Sequence, residues 1–186
     1  METKEHRLSV KSLDEDGTFT GYASVFGTID LHQEVVAAGA FSQSLQKWER
    51  RRQMPKMLWQ HDPKIPIGVW QEITEDDYGL FVKGKLLLDV RQGREAYALL
   101  KSGIVDGLSI GYEVVKAQRQ PKQRVLETIE LHEVSLVTFA ANPAAKITAY
   151  KTLDFKDDEA RILVRLRGLA GVMESEVSAA RPSLPL

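Results

Sequence analysis

The chain has 186 residues, of which 43% are hydrophobic, and its 25 Lys and Arg residues nearly balance its 26 Asp and Glu residues. This length suits one compact domain with an appended element and is too short for two full-sized domains. A net charge of -1 gives no overall attraction to nucleic acid or to an anionic membrane, so a protein or peptide partner fits better. The absence of cysteine excludes disulfides, thiolate metal ligands and a cysteine nucleophile.

The chain begins with charged residues and contains no apolar run of about 18 residues, so we expect a protein that is neither exported nor embedded in a membrane. Short β-prone runs separated by Gly, Pro and Asp fill most of the chain. Predicted strands occupy residues 7–11, 18–26, 56–60, 67–73, 80–88, 107–115, 124–138 and 147–151. Many strands at regular spacing predict a β-rich domain with peripheral helices, built either as a barrel-like antiparallel sheet or as a sandwich.

Two helices are predicted between these strands. In residues 41–52 an apolar stripe is formed by Phe41, Leu45 and Trp48 at helical spacing. Residues 94–102 carry a second stripe and end at Gly103, which favours the left-handed conformation that stops a helix. This second helix leads into the predicted strand that begins at residue 107.

The sequence changes character after residue 151. Acidic residues open an amphipathic helix at 157–174, and Ile162, Leu166, Leu169 and Met173 form its apolar stripe. We therefore divide the chain into a β-rich domain, 1–151, and an amphipathic helix with a tail, 152–186. The stripe predicts either a homo-oligomer contact or scaffold-docking surface through residues 157–174, or a helix packed on its own domain.

Residues suited to a serine hydrolase site stand in three apolar, β-prone segments. Ser109 lies in Asp-Gly-Leu-Ser-Ile-Gly-Tyr, His61 lies upstream in Leu-Trp-Gln-His-Asp, and His132 and Glu133 lie downstream in Leu-His-Glu-Val-Ser-Leu-Val. A serine hydroxyl becomes a nucleophile when a neighbouring imidazole accepts its proton, and a third polar group fixes the tautomer of that imidazole. This order predicts Ser109 as nucleophile and His61 as general base, with Glu133 or His132 as the third member. Backbone amides just after Ser109 are natural candidates for the oxyanion donors.

Each of these residues also has an ordinary structural explanation. A strand serine can bond to neighbouring backbone, and a histidine before an Asp-Pro pair can simply belong to a turn. In a regular strand Leu131, Glu133 and Ser135 share one face and His132 lies on the other, so Glu133 could be an outward-facing polar residue. Periodicity alone leaves these alternatives open.

Other site chemistries fit less well. His61, Asp62, His132 and Glu133 could ligate zinc, but neither pair has the i, i+4 spacing of a helical metal motif. A phosphate-binding glycine loop is also absent from the sequence. We therefore predict no metal and no cofactor.

Several blocks, in their order along residues 6–151, resemble the HK97-type phage prohead (capsid maturation) proteases. The matching blocks are Thr-Gly-Tyr-Ala-Ser-Val-Phe-Gly (20–27), Gly-Ala-Phe (39–41), Leu-Trp-Gln-His-Asp (58–62), Pro-Ile-Gly (66–68), Tyr-Gly-Leu (78–80), Leu-Ser-Ile-Gly-Tyr (108–112), Leu-His-Glu-Val-Ser-Leu-Val-Thr (131–138) and Ala-Asn-Pro (141–143). The chain departs from the family pattern at Ala140, where the family commonly has proline, and at Gln33-Glu34, where it has a Gly-Asp-like pair.

The resemblance implies a serine endopeptidase with an assemblin-like β-barrel, acting inside the immature phage capsid in the host cytoplasm. Its implied partners are the major capsid protein and the scaffold protein, and the protease itself is a further implied substrate. Carried over by position, His61 and Ser109 match the family's histidine and serine, and Glu133 matches its third member. The herpesvirus assemblins use a second histidine instead, which makes His132 the alternative. The competing functions are a non-catalytic capsid-assembly module with a protease fold and a hydrolase of small esters or amides.

Overall fold

The computed structural model describes residues 16–149. Eight strands and two helices follow one another along this part of the chain: β1 (Thr18–Val25), β2 (Glu34–Val36), α1 (Ser42–Arg50), β3 (Lys56–Trp59), β4 (Asp62–Glu75), β5 (Gly79–Leu86), α2 (Arg91–Lys101), β6 (Gly107–Gln120), β7 (Gln123–Val137) and β8 (Ile147–Ala149). The predictions for residues 7–11 and for the helix at 157–174, and the boundary at 151, lie outside the described residues.

All eight strands belong to one sheet, in the order β2-β7-β3-β4-β5-β1-β8, with β6 paired to β7. The sheet curls so that its two ends meet: Gly107 of β6 forms a bridge with Lys146 just before β8. Backbone bonds from Leu108 N–H to the Ala145 carbonyl (3.0 Å) and from Ile147 N–H to the Asp106 carbonyl (2.9 Å) reinforce this contact. The prediction of a barrel-like, strand-rich domain with peripheral helices is therefore confirmed.

The predicted antiparallel sheet also contains two parallel pairings. Strand β7 pairs in parallel with both β2 and β3, while β6 lies antiparallel along its other edge. Strand β6 is also longer than the predicted 107–115, because its polar end, which is joined to β7 through the Gln120 and Gln123 pair, continues as a two-stranded ribbon. The apolar pattern missed this part because a ribbon outside the core needs no buried face.

On the edge of β7 that carries β2 and β3, no strand of the described residues pairs between these two contacts, and helix α1 with the turn before it fills the gap. Ile129 donates its N–H to the Ala40 carbonyl (3.1 Å), and Leu131 donates its N–H to Ser44 Oγ (2.9 Å). The Trp48 indole N–H in turn donates to the Leu131 carbonyl at 2.8 Å. These bonds satisfy backbone groups that would otherwise be buried without partners. The residue of α1 that is fully buried is Ser44, whereas the predicted stripe residue Trp48 is only partly buried.

The core is apolar and continuous through the barrel. Its largest fully buried side chains are Phe19, Phe41, Met57, Ile67, Leu80, Leu86, Leu100, Leu108, Leu126, Ile129 and Leu131. Burial of each such side chain contributes about 1.5–3 kcal/mol. Truncating one of them, for example Leu108→Ala, is expected to cost about 2–5 kcal/mol because a cavity remains. Strands β6 and β7, which carry the predicted site, contribute Leu108, Leu126, Ile129 and Leu131 to this core.

Candidate active site

Strands β6 and β7 bring four predicted or neighbouring site positions onto one patch. Ser109 lies directly opposite Ser135, and Gly111 lies directly opposite Glu133. Residues two apart on a strand share a face, and directly opposed residues share it too, so all four positions point to the same side of the hairpin. Ser109 retains 6% exposure and Ser135 none.

His61 reaches this patch from the two-residue loop that joins β3 to β4. Trp59 pairs with Asp62, so that Gln60 and His61 form the loop, with φ of 52° and 61°. Hairpin loops of this length favour two central residues at positive φ, which is why Asn-Gly is their usual sequence. Holding residues other than glycine there costs roughly 1–2 kcal/mol each. The turn therefore consists of Gln60 and His61, which precede the Asp-Pro dipeptide, and both residues have a strained backbone conformation.

Strand β7 holds the strained loop in place. Gln60 donates its N–H to the Leu136 carbonyl (2.9 Å), and His61 donates its N–H to Ser135 Oγ (3.2 Å). The Gln60 side chain donates to Thr138 Oγ1 (2.8 Å) and accepts from the Thr138 N–H (3.3 Å). Backbone and side-chain bonds together offset the cost of the left-handed conformation and fix the origin of the His61 side chain.

The His61 ring and the Glu133 carboxylate are in direct contact. Nδ1 of His61 lies 2.5 Å from Oε1 of Glu133, and the two side chains are 43% and 12% exposed. Because a carboxylate only accepts, Nδ1 is the protonated nitrogen and Nε2 keeps its lone pair in the neutral ring. The hydrogen bond to Glu133 raises the pKa of His61, and the partial burial of the ring opposes this shift. An imidazole that is oriented by a carboxylate in this way, with a lone pair on Nε2, can act as a general base.

Ser135 supplies a second contact to the same carboxylate. Its hydroxyl donates to Glu133 Oε2 at 2.6 Å. Both carboxylate oxygens of Glu133 are therefore occupied, one by His61 and one by Ser135.

The alternative third member, His132, is not part of this contact. Its Nε2 lies 4.0 Å from a Glu113 oxygen, and its side chain is 55% exposed. The cause is a β-bulge: Tyr112 pairs with Leu131 and Gly111 pairs with Glu133, which leaves His132 as the extra residue. Since Tyr112 and Gly111 point to opposite faces, their partners Leu131 and Glu133 do so as well. The prediction that Leu131 and Glu133 share one face, which assumed a regular strand, is therefore wrong.

Ser109 and His61 line one cavity of about 340 Å³ that opens to solvent. The cavity is also lined by Ser24, whose buried hydroxyl has no hydrogen-bond partner among the described residues. Asn142 lines it as well and donates its side-chain amide to the Val25 carbonyl at 2.9 Å. A bulge at Ala23 in β1 precedes these positions. A polar ligand that enters this space would meet both the Ser109 hydroxyl and the unsatisfied Ser24 hydroxyl.

A neutralised carboxylate forms another part of the cavity wall. Glu34 accepts from the Tyr112 hydroxyl (2.7 Å) and from Arg124 Nη1 (2.9 Å). Burial and the bond to Glu34 raise the pKa of Tyr112, so this phenol remains a proton donor. Arg124 balances the charge of Glu34, so this wall presents a fixed polar surface without a free charge.

The zinc alternative is not supported by these positions. Within residues 16–149 no group of three or more His, Asp or Glu side chains comes together to hold a metal ion. Of the four residues considered, His61 and Glu133 meet, while His132 points to Glu113.

None of the helices in the described part of the chain is long and apolar enough to cross a bilayer.

Sequence reasoning missed two residues that shape the patch, Ser135 and Gly111. Ser135 stands two positions after Glu133, so the strand period already put both on one face. Gly111 stands two positions after Ser109 by the same rule. In both cases the two-residue spacing was visible in the sequence. That these residues lie opposite one another could be known only from the register between β6 and β7.

The family is established by comparison with known proteins. The family model described as Caudovirus prohead serine protease matches residues 6–158, and the chain belongs to this family. It is therefore a peptidase of phage capsid maturation, as the resemblance predicted.

Individual relatives agree with this assignment. The chain is 32% identical over 166 residues to the prohead protease of Enterobacteria phage HK97, covering 87% of this chain and 72% of that protein. It is 32% identical over 156 residues to the capsid polyprotein of Pseudomonas phage PAJU2, covering 79% of this chain and 22% of the polyprotein. The fold is similar to that of the bacteriophage T4 capsid assembly protease, with a TM-score of 0.55 at 10% identity, covering 64% of this chain and 80% of that structure.

Proposed function

We propose that the chain is a serine endopeptidase that cleaves capsid-protein and scaffold-protein segments through an acyl-enzyme. In this mechanism Ser109 is the nucleophile, His61 the general base and Glu133 the group that orients it. The observation that carries the proposal is the bond between His61 Nδ1 and Glu133 Oε1 beside a cavity that Ser109 and His61 share.

The chemistry begins at the Ser109 hydroxyl. Nε2 of His61 accepts its proton while the oxygen attacks the scissile carbonyl, and the resulting imidazolium is stabilised by the Glu133 carboxylate. The imidazolium then gives this proton to the leaving amine, which leaves an ester on Ser109. Water, deprotonated by the same imidazole, hydrolyses the ester and restores the hydroxyl.

The substrates follow from the setting of the family. Relatives of this chain are named for the prohead and for capsid assembly, and one is a capsid polyprotein. We infer that the substrates are segments of the major capsid protein and the scaffold protein, together with exposed segments of the protease itself. The site of action is then the interior of the prohead while it lies in the host cytoplasm.

The nucleophile is tested with an alkyl fluorophosphonate, which forms a covalent adduct only with an activated serine. We expect a single adduct on Ser109 in the parent protein, located by peptide mass spectrometry, and none in Ser109→Ala. Ser102→Ala is the matched control, because Ser102 is an exposed serine at the end of α2 whose hydroxyl donates to the Leu99 carbonyl. Labelling at another serine would overturn the assignment of Ser109.

The substrate is tested by incubating the purified chain with its cognate capsid and scaffold proteins. Loss of a triad nucleophile costs roughly 10⁴-fold or more in rate, so Ser109→Ala should leave both proteins intact over any practical time. The cleavage rate of His61→Ala should fall nearly as far. The variant with both substitutions should be little slower than either single variant, because the two residues act as a unit. Intact capsid and scaffold proteins after incubation with the parent would favour a non-catalytic assembly module, and turnover of small esters alone would favour a small-substrate hydrolase.

A further inference from the structure

We propose that Ser135 is a positioning residue that fixes the base and its carboxylate relative to each other. The proposal rests on the function proposed for Ser109, His61 and Glu133. Its foundation is a closed ring of three hydrogen bonds that begins at the backbone of His61 and ends at the His61 ring.

The direction of each bond in this ring is set by chemistry. The His61 N–H can only donate, and it donates to Ser135 Oγ at 3.2 Å. The Glu133 carboxylate can only accept, so the Ser135 hydroxyl donates to Oε2 at 2.6 Å. Oε1 of the same carboxylate then accepts from His61 Nδ1 at 2.5 Å. The three hydrogen bonds therefore allow only one arrangement of protons. In this arrangement the neutral imidazole of His61 carries its proton on Nδ1 and its lone pair on Nε2.

Ser135 is suited to this task by its place in the sheet. It pairs with Ser109 of β6 on one side and with Leu58 of β3 on the other, and it is fully buried. Its oxygen is therefore held by a central strand. His61 lies in a strained loop and its side chain is 43% exposed, so Ser135 links this exposed residue to the buried strand β7.

The alternative is that Ser135 is a buried serine whose hydroxyl matters only for stability. The chain contains a stringent control for this alternative in Ser44. Ser44 is also fully buried and its hydroxyl also accepts a backbone N–H, that of Leu131 on the same strand β7, at 2.9 Å. Ser44 contacts neither His61 nor Glu133 in the described hydrogen bonds. Ser135→Ala and Ser44→Ala therefore lose a similar bond, but only the first opens the ring.

The first readout is the rate at which an alkyl fluorophosphonate inactivates the full chain, measured at several probe concentrations and over a range of pH. Misplacement of a catalytic group by about 1 Å costs about 10²-fold, so Ser135→Ala should lower the limiting inactivation rate by about 10- to 100-fold. The half-saturating probe concentration should stay unchanged. Ser44→Ala should label at the parent rate, and Ser135→Thr, which keeps a hydroxyl, should recover part of the loss.

The second readout does not depend on activity. The Nδ1 proton of His61 gives a low-field NMR signal only while a hydrogen bond protects it from exchange with water. Among the four histidines it is assigned by its absence from His61→Gln. We expect this signal in the parent and in Ser44→Ala and its loss in Ser135→Ala. If Ser135→Ala does not fold, Ser135→Cys tests the same point, because a thiol keeps the side-chain volume but donates weakly.

A folded Ser135→Ala that retains both the parent labelling rate and the His61 signal would overturn the proposal. Equal losses in Ser44→Ala and Ser135→Ala would do so as well, because they indicate a general effect of stability. A parent that never reacts with the probe contradicts the proposed function instead, and the NMR comparison then still decides the role of Ser135.

Discussion

The carboxylate of Glu133 occupies the space into which a side chain at Gly111 would project. A Cβ added at Gly111 would lie 2.2 Å from Glu133 Oε1, the oxygen that bonds His61, and 2.9 Å from Glu133 Cδ. The glycine in the Leu-Ser-Ile-Gly-Tyr block is therefore required by the acid on the neighbouring strand. A tightly packed pair of strands has room for the carboxylate only because one position lacks a side chain.

We predict that Gly111→Ala reduces activity much more than stability. The added methyl meets the end of a flexible side chain, so Glu133 can swing away while the sheet stays intact, and fluorophosphonate labelling should fall by about 10- to 100-fold. Gly68→Ala is the comparison, because a Cβ there would meet the Lys85 carbonyl oxygen at 2.4 Å, which cannot swing away. Gly68→Ala should lose about 1–3 kcal/mol of unfolding free energy, measured in urea. A normal labelling rate in Gly111→Ala would mean that Glu133 is not needed where it lies.

The adjacent residues Glu133 and His132 should behave differently when each is changed to glutamine. Glu133→Gln keeps the shape but removes the charge that stabilises the imidazolium, and the corresponding change in a serine-protease triad costs about 10⁴-fold in rate. His132→Gln should label at nearly the parent rate, because this side chain is exposed and points to Glu113. The reverse ranking would replace the proposed site with a Ser-His-His arrangement.

The pH dependence of labelling should report His61. The hydrogen bond to Glu133 raises the pKa of His61, and only the neutral ring can accept the Ser109 proton. The rate should therefore rise with pH through a midpoint above the ordinary histidine value of about 6.5. In Glu133→Gln this midpoint should move to lower pH. An unchanged midpoint in that variant would assign the titration to another group.

The same shift predicts how stability depends on pH. Because the pKa of His61 is higher in the folded than in the unfolded chain, its contribution is complete below about pH 6.5 and disappears as the pH rises through the folded-state pKa. The difference in unfolding free energy between the parent and His61→Ala should thus be larger at about pH 5.5 than at about pH 8.5. Urea unfolding at both pH values measures it, and an increase towards alkaline pH would contradict the assignment.

Strain at His61 can be measured separately from its chemistry. His61→Ala and His61→Gly both lack the imidazole, and both retain the backbone N–H that donates to Ser135. They differ in tolerance of the positive φ of 61°, so the glycine variant should be more stable by about 1 kcal/mol. Thermal unfolding of the two variants gives this difference, and equal stabilities would mean that the loop relaxes when the ring is removed.

Much of the fold could be predicted from local pattern. Polar and apolar alternation identified β1, and the apolar runs identified β3, β4, β5, the buried part of β6, and β7. Strand β2 was missed because Glu34–Val36 is only three residues long and pairs with a strand some ninety positions away. The parallel pairing of β2 and β3 with β7 was also missed, because the periodicity of a strand does not depend on the direction of its partner.

The residues of the candidate site could be proposed from the sequence, but their geometry could not. Ser109, His61 and Glu133 were singled out from their segments and the family resemblance, and the structure brings His61 and Glu133 together. Which of Glu133 and His132 reaches His61 depends on the bulge at His132, and a bulge is a property of two paired strands. The left-handed loop at Gln60 and His61 was not predicted, because its sequence lacks the glycine or asparagine that is typical of such a turn.

The parallel pairing of β3 with β7 also bears on when the enzyme can first act. His61 and its carboxylate partner are 72 residues apart in the chain, and the serine that holds the His61 backbone is 74 residues away. Contacts of such separation form late, because the entropy of closing the intervening chain must be overcome first. A nascent chain that has not yet released β7 from the ribosome has a histidine but nothing to orient it. Under the proposed mechanism, activity therefore begins only after β7 has paired with β3.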